Sequence, residues 1–97
     1  HGGRGLRKLI VHTKPQCVQC DAVKRKFDQA GVAYIEANLL ELPREAVEEL
    51  MEAGHRAAPI VSIISDDGSL YDEFSGYHPQ KVDEAIAYMK GGGSDAA

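Results

Sequence analysis

The chain has two cysteines, Cys17 and Cys20, and they lie where a predicted strand gives way to a predicted helix. Residues 9–11 form a short apolar, β-branched run that is typical of a buried strand. From Val18 onward, apolar residues recur at helical spacing until Gly31 ends the pattern. We therefore expect Cys17 at or just before the N-terminus of this helix, with Cys20 one turn inside it.

This placement of the two sulfurs is suited to thiol–disulfide exchange. Cysteines three residues apart in a first helical turn can close a small disulfide. The unpaired N–H groups and the positive end of the helix dipole favour a thiolate at the outer cysteine. The alternative, half of a zinc site, needs two further ligands, and the four histidines of the chain lack the paired spacing that such sites use.

The rest of the sequence predicts one α/β domain with the element order βαβαββα. Helical crossovers between the first strands predict parallel strands with right-handed connections. Asp66-Asp67-Gly68-Ser69 predicts a hairpin turn between the last two strands. The predicted strands are at about 8–12, 33–37, 60–64 and 70–74, and the predicted helices at about 18–30, 43–53 and from 79 onward.

Length and charge limit the function classes. A chain of 97 residues suits one small domain, which we expect over residues 6–90, with an expression remnant or frayed start at 1–5 and a flexible tail at 91–97. The net charge of −4 argues against nucleic acid or an anionic membrane as partner. No apolar run approaches the roughly 18 residues of a membrane span, and no signal-peptide pattern opens the chain. The lone cysteine pair then favours a reducing, cytoplasmic location.

Several segments together resemble NrdH-type redoxins, which are similar to glutaredoxins in sequence and to thioredoxins in activity. The most specific is Thr13-Lys14-Pro15-Gln16-Cys17-Val18-Gln19-Cys20. Three others agree: Ala30-Gly31-Val32, Ala57-Ala58-Pro59-Ile60-Val61 and Phe74-Ser75-Gly76-Tyr77-His78-Pro79. One departure is Phe74, where members of this family usually carry Trp.

The resemblance implies a thioredoxin fold, with a four-stranded mixed sheet of order 2-1-3-4 flanked by three helices. It implies an electron carrier that thioredoxin reductase reduces and that reduces a disulfide on the large subunit of class Ib ribonucleotide reductase. Such a carrier is a monomer with no bound cofactor, and NADPH acts only through the reductase. The alternative within redox chemistry is a glutathione-dependent glutaredoxin, and a more remote one is a metal-binding module.

Cys17 is the predicted nucleophile and Cys20 the resolving thiol. Lys14 and Pro15 are predicted to support the active site, Lys14 by its positive potential. Asp21 is predicted either to accept or relay the Cys20 proton or to interact by charge with the helix N-terminus.

Val18 and Gln19, between the cysteines, are predicted either to contact partners or simply to be exposed first-turn residues. The resemblance predicts a cis Ala58–Pro59 bond opposite the disulfide, whereas the low frequency of cis bonds before proline favours trans.

The segment from Phe74 to Pro79 is predicted to bind partners, or alternatively to be a helix cap with an exposed Tyr77. In glutaredoxins that use glutathione, the corresponding region resembles Gly-Gly followed by a small residue or Cys and two acids. Here Tyr77-His78-Pro79 replaces that pattern, and Pro79 has no backbone donor. Weak glutathione binding is therefore expected.

Overall fold

The computed structural model describes residues 6–92, and it confirms the predicted order βαβαββα. The strands are β1 (Lys8–Thr13), β2 (Ile35–Asn38), β3 (Ile60–Ile64) and β4 (Leu70–Ser75), and the helices are α1 (Val18–Ala30), α2 (Arg44–Glu52) and α3 (Pro79–Met89). Within residues 6–92, no helix is long and apolar enough to cross a membrane. Residues 1–5 and 93–97, the predicted remnant and most of the predicted tail, lie outside the described residues.

The four strands form one mixed sheet in the order β2-β1-β3-β4, as the resemblance implies. β1 pairs in parallel with β2, and β3 is antiparallel to both β1 and β4. Parallel pairing brings the C-terminal ends of β1 and β2 to one edge, where Thr13 lies opposite Asn38. The start of α1 and the turn that follows β2 therefore lie beside each other at this edge.

The helices α1 and α3 cover one face of the sheet and enclose the hydrophobic core. Because strand side chains alternate between faces, Leu9 and Val11 of β1 point to the same face as Phe74 of β4. The buried cluster on this face comprises Leu9, Val11, Val23, Phe27, Val32, Val61, Ile63, Phe74, Val82, Ala85 and Tyr88.

The helix α2 covers the opposite face much less tightly, and none of its residues is buried. A cavity of about 400 Å³ lies between α2 and this face of the sheet, with Leu50 on the helix side and Ser62 on the sheet side. A polar cluster occupies part of this face. Glu73 accepts hydrogen bonds from Ser62 Oγ at 2.5 Å and from His55 Nε2 at 3.1 Å.

The turn after β2 was not predicted. β2 begins at Ile35 instead of 33 and ends at Asn38, whose Oδ1 accepts a hydrogen bond from Leu40 N at 2.9 Å. This side chain caps a single 3₁₀ turn, Leu39–Glu41. Three residues are too few to show a helical period in the sequence, so no element was predicted between 37 and 43.

Other differences in element bounds are small. Pro43, expected in the first turn of α2, precedes that helix as its N-cap residue and makes no side-chain capping bond. Gly91 and Gly92, assigned from sequence to the tail, donate backbone hydrogen bonds to Tyr88 O at 3.0 Å and Ala87 O at 2.8 Å. These two bonds, with φ 102° at Gly91, form the C-terminal cap that ends α3.

Candidate active site

The cysteine pair lies at the start of α1, where the sequence predicts it. Cys17 is the N-cap residue with an extended backbone, and its Sγ accepts a hydrogen bond from Cys20 N at 3.1 Å. The two cysteines are joined by a disulfide, with their Cα atoms 5.2 Å apart. Cys17 is 9% exposed and Cys20 only 1%, so Cys17 is the more accessible of the two.

The same geometry suits the reduced form. A backbone N–H directed at the Cys17 sulfur, together with the positive end of the helix dipole, favours the thiolate at this position. Cys20, one turn inside the helix, is close enough to attack the Cys17 sulfur but is shielded from solvent. The arrangement therefore separates an outer nucleophile from an inner resolving thiol.

The Ala58–Pro59 peptide bond is cis, which agrees with the conformation that the resemblance predicts. Ala58 is buried against both cysteines, so this peptide lies beside the disulfide. Pro59 O accepts a hydrogen bond from Gly76 N at 2.8 Å. This bond connects the proline to the segment that leads into α3.

The residues of the predicted partner-binding segment do not share one environment. Phe74 is 6% exposed and belongs to the core beneath α1 and α3, because it pairs with Val61 of β3 and points to the same face. The prediction of Phe74 as a partner contact is therefore corrected to a core role. Tyr77 is 36% exposed, whereas His78 is the N-cap of α3 and Pro79 its first residue. Ser75 and Gly76 are half-buried.

A long-range hydrogen bond connects this segment to the cysteine turn. Tyr77 N donates to Gln19 Oε1 at 2.8 Å, although the two residues are 58 positions apart. Val18, the other residue between the cysteines, is 83% exposed. Both side chains are exposed, but that of Gln19 is held by a hydrogen bond within the protein, whereas Val18 faces solvent.

The predicted supporting residues lie around the cysteines with different contacts. Lys14 and Pro15 are exposed on the chain that leads to Cys17, and Lys14 lines a cavity of about 190 Å³ that also borders Ala58. Asp21 lies in the first turn of α1 with its carboxylate 3.8 Å from Lys24 Nζ. This position agrees with a charge interaction between Asp21 and the helix N-terminus. The role of Asp21 in proton transfer stays a prediction.

Beside the active site, a charged network fastens α1 to the sheet edge. Glu36 Oε2 accepts hydrogen bonds from Lys24 Nζ at 3.1 Å and from Thr13 Oγ1 at 3.0 Å. The bond to Lys24, followed by that to Thr13, lowers the pKa of Glu36, and the bond to Glu36 raises the pKa of Lys24. The network links the ends of β1 and β2 to the first half of α1.

No three His, Cys, Asp or Glu side chains among residues 6–92 are grouped so that they could hold a metal ion. The cysteine pair there lacks the additional ligands that a structural zinc site requires.

The sequence of this chain is similar to those of known glutaredoxin-like proteins. The glutaredoxin family model matches residues 9–67. The glutaredoxin-like protein NrdH of Lactococcus lactis subsp. cremoris is 38% identical over 74 residues, which cover 76% of this chain and 93% of that protein. The protein of the same name from Escherichia coli K12 is 33% identical over 75 residues, which cover 77% and 84%. The chain belongs to the glutaredoxin family, in its NrdH group.

Solved structures place this NrdH-group protein in the thioredoxin fold. NrdH-redoxin from Escherichia coli, described as a glutaredoxin-like protein with a thioredoxin-like activity profile, has a TM-score of 0.66 and 31% identity, covering 79% of this chain and 92% of that one. Thioredoxin from Fasciola hepatica has a TM-score of 0.65 at 20% identity, with coverage of 90% and 84%, which shows the fold alone. The protein is therefore, in general kind, a thiol–disulfide oxidoreductase.

Two residues of this glutaredoxin-like site were missed from the sequence. Leu39, in the turn after β2, packs against Cys17, Cys20 and Ala58. The predicted parallel pairing of β1 and β2 could have indicated Leu39, because residues that follow β2 must lie at the end of the sheet where α1 begins. Gln16 adopts a left-handed backbone with φ 56°, directly before the nucleophile, and no sequence signal marks it.

Proposed function

We propose that this protein is a dithiol electron carrier that thioredoxin reductase reduces and that reduces a disulfide on the large subunit of class Ib ribonucleotide reductase. The observation that carries the redox part is the Cys17–Cys20 disulfide at the start of α1, beside the cis Ala58–Pro59 peptide. Similarity to NrdH proteins supports the choice of partners. NADPH supplies electrons only through the reductase, and the carrier holds no bound cofactor.

Each turnover moves two electrons and two protons to the partner. The Cys17 thiolate attacks one sulfur of the partner disulfide, which breaks that bond, forms a mixed disulfide and releases the other partner sulfur as a thiolate. The Cys20 thiolate then attacks the Cys17 sulfur, which closes the internal disulfide and releases the second partner thiolate. The protons lost by the two carrier thiols end on the two partner thiols, and the reductase reverses these steps.

Exposed apolar side chains around the disulfide support a protein partner. Val18 is 83% exposed between the cysteines, Leu40 is 74% exposed in the turn after β2, and Tyr77 is 36% exposed before α3. Met51 is 46% exposed and lines the cavity beside Ala58. Apolar groups that gather around one accessible sulfur are suited to the centre of a transient protein interface.

We further propose that the carrier works in the cytoplasm as a monomer and binds its partners transiently. Its thiol chemistry needs a reducing compartment. Its net charge of −4 is unsuited to nucleic acid or an anionic membrane surface.

The test is an insulin-reduction assay with NADPH, run once with thioredoxin reductase and once with glutathione plus glutathione reductase. We expect turnover in the first arm and little in the second, and Cys17→Ser should abolish it. Turnover only in the second arm would replace this proposal with a glutathione-dependent glutaredoxin. Full turnover by Cys17→Ser would show that Cys17 is not the nucleophile.

The matched variant Cys20→Ser tests the partner. It keeps Cys17 but lacks the resolving thiol, so it should accumulate a mixed disulfide with the large subunit of class Ib ribonucleotide reductase. Mass spectrometry of the crosslinked product should locate the bond at Cys17. Absence of this adduct, with normal adduct formation on insulin, would contradict the reductase as partner while leaving the redox chemistry in place.

A further inference from the structure

The geometry points to Gln19 as the residue that sets the preference of this site for protein disulfides over glutathione mixed disulfides. This inference rests on the proposed function and names one source of its specificity. Gln19 does not react; it occupies a backbone hydrogen-bond donor beside the disulfide.

The side chain of Gln19 is exposed, yet its carboxamide has a defined position. Its Oε1 accepts a hydrogen bond from Tyr77 N at 2.8 Å. Gly76 makes room for this contact, because a Cβ at that position would lie 3.3 Å from Gln19 Oε1. Gly76 also has φ +80°, which other residues rarely adopt. The carboxamide thus lies over the Gly76–Tyr77 peptide, one residue from Cys20.

The donors around this peptide are not equivalent. Gly76 N–H donates to Pro59 O at 2.8 Å, a bond between two backbone groups that a ligand cannot displace without moving the chain. Pro79 has no N–H. Tyr77 N–H differs from both. Its acceptor is the carboxamide of an exposed side chain, Gln19, which a ligand can displace by a change of rotamer.

A carboxylate is the group that competes best for such a donor, since a charged acceptor makes a stronger hydrogen bond to N–H than an amide oxygen does. Glutathione carries two carboxylates close to its sulfur. A disulfide inside a protein chain has neutral peptide groups on either side. Occupation of Tyr77 N–H by the Gln19 carboxamide therefore disfavours a glutathione adduct and leaves a protein substrate largely unaffected.

The reaction in question is the reduction of a peptide–glutathione mixed disulfide. The Cys17 thiolate attacks the glutathione sulfur, the peptide thiolate leaves, and a Cys17–glutathione disulfide forms. A second glutathione thiolate attacks the bound glutathione sulfur, which regenerates the Cys17 thiolate and yields glutathione disulfide. Glutathione reductase then reduces that product with NADPH. In the intermediate, Tyr77 N–H is the donor for which the glutathione carboxylate and Gln19 compete.

The experiment compares three variants by one ratio, kcat/KM for a glutathionylated peptide divided by kcat/KM for insulin with thioredoxin reductase. Gln19→Met keeps the length of the side chain but removes the strong acceptor. Gln19→Glu keeps an acceptor and adds a charge that repels carboxylates. Gln29→Met makes the first substitution at the far end of α1, on an exposed residue outside the site.

We expect Gln19→Met to raise the ratio roughly fivefold, the size that one hydrogen bond gives. Gln19→Glu should leave the ratio at or below the wild-type value, and Gln29→Met should leave it unchanged. Amide hydrogen exchange of Tyr77 should accelerate in Gln19→Met alone. An unchanged ratio in Gln19→Met, or equal rises in Gln19→Met and Gln19→Glu, would overturn the inference.

Failure of this inference and failure of the proposed function give different results. If wild type turned over only with glutathione, the proposed function would be wrong, and the role of Gln19 as a barrier to glutathione would be overturned with it. If wild type turned over with thioredoxin reductase while the ratio of Gln19→Met stayed at the wild-type value, only the role of Gln19 would be wrong.

Discussion

The two faces of the sheet are stabilised in different ways. Under α1 and α3, side chains such as Phe27 and Val82 are completely buried. Under α2, no helix residue is buried. Since burial of apolar surface is the main favourable contribution to folding, most of the stability comes from the first face.

Charged groups occur on both sides of the sheet. On the α1–α3 side, Arg7 is 9% exposed and lies over the ring of Tyr88, with its Cζ 3.8 Å from the ring centroid. The pair between Lys81 Nζ and Asp72 Oδ2, at 2.5 Å, lies at the periphery of the same side. On the α2 side a carboxylate lies within the packed layer, where Glu73 is only 14% exposed and bonds to Ser62 and His55. The α2 face also borders the active site through the cavity beside Ala58. Because α2 has no buried residue, we expect this face to open locally at a smaller cost in buried contacts than the α1–α3 face.

The largest expected effect compares the packing on the two faces of the sheet. Phe27→Ala should lower the free energy of unfolding by about 3–5 kcal/mol, because it leaves a cavity in a fully packed cluster. Leu50→Ala, on the partly exposed α2, should cost less than about 2 kcal/mol. Urea denaturation measures both. Equal losses would show that the α2 face is as tightly packed as the other.

The next effect concerns the polar cluster on the α2 face. Glu73→Met should cost about 1–3 kcal/mol, because it leaves the buried Ser62 hydroxyl without its acceptor. Adding Ser62→Ala removes the stranded donor, so the double variant should recover part of that loss. Strictly additive losses in urea denaturation would mean that the hydroxyl and the carboxylate do not depend on each other.

Local patterns explain which parts of the fold could be predicted from the sequence. The predicted bounds of α1 and β3 match the structure, because both carry strong end signals. At the end of α1, Gly31 has φ 73° and its N–H donates to Asp28 O at 3.1 Å, a conformation that glycine favours. The cysteine pair was placed correctly for the same reason, since a strand end and a helix start are both local features.

Contacts between distant segments account for what was not predicted. The bond from Tyr77 N to Gln19 and the Glu73 cluster join residues far apart in sequence, and no local pattern reports them. Phe74 is a different case. It was assigned to partner binding by its motif, although its pairing with Val61 on a core-facing position could have been inferred from strand alternation.

The smallest expected effect is the pH dependence of the stability that Glu36 contributes at the periphery of the α1–α3 side. Hydrogen bonds from Lys24 and Thr13 hold the pKa of Glu36 below its usual value of 4.5. A carboxyl group whose pKa is lower in the folded state adds stability above its unfolded pKa, and that stability is lost as pH falls through the folded pKa. Glu36 is 45% exposed, so solvent screening limits the contribution to less than about 1 kcal/mol.

We therefore expect Glu36→Gln to be slightly less stable than wild type at pH 7, with the difference shrinking as pH drops below about 4. Glu48→Gln, at an exposed position on α2, is the matched control and should show no such convergence. Urea denaturation at pH 7, 4 and 3 measures both. If the two variants followed the same pH dependence, the network around Glu36 would contribute nothing specific to the stability of the α1–α3 side.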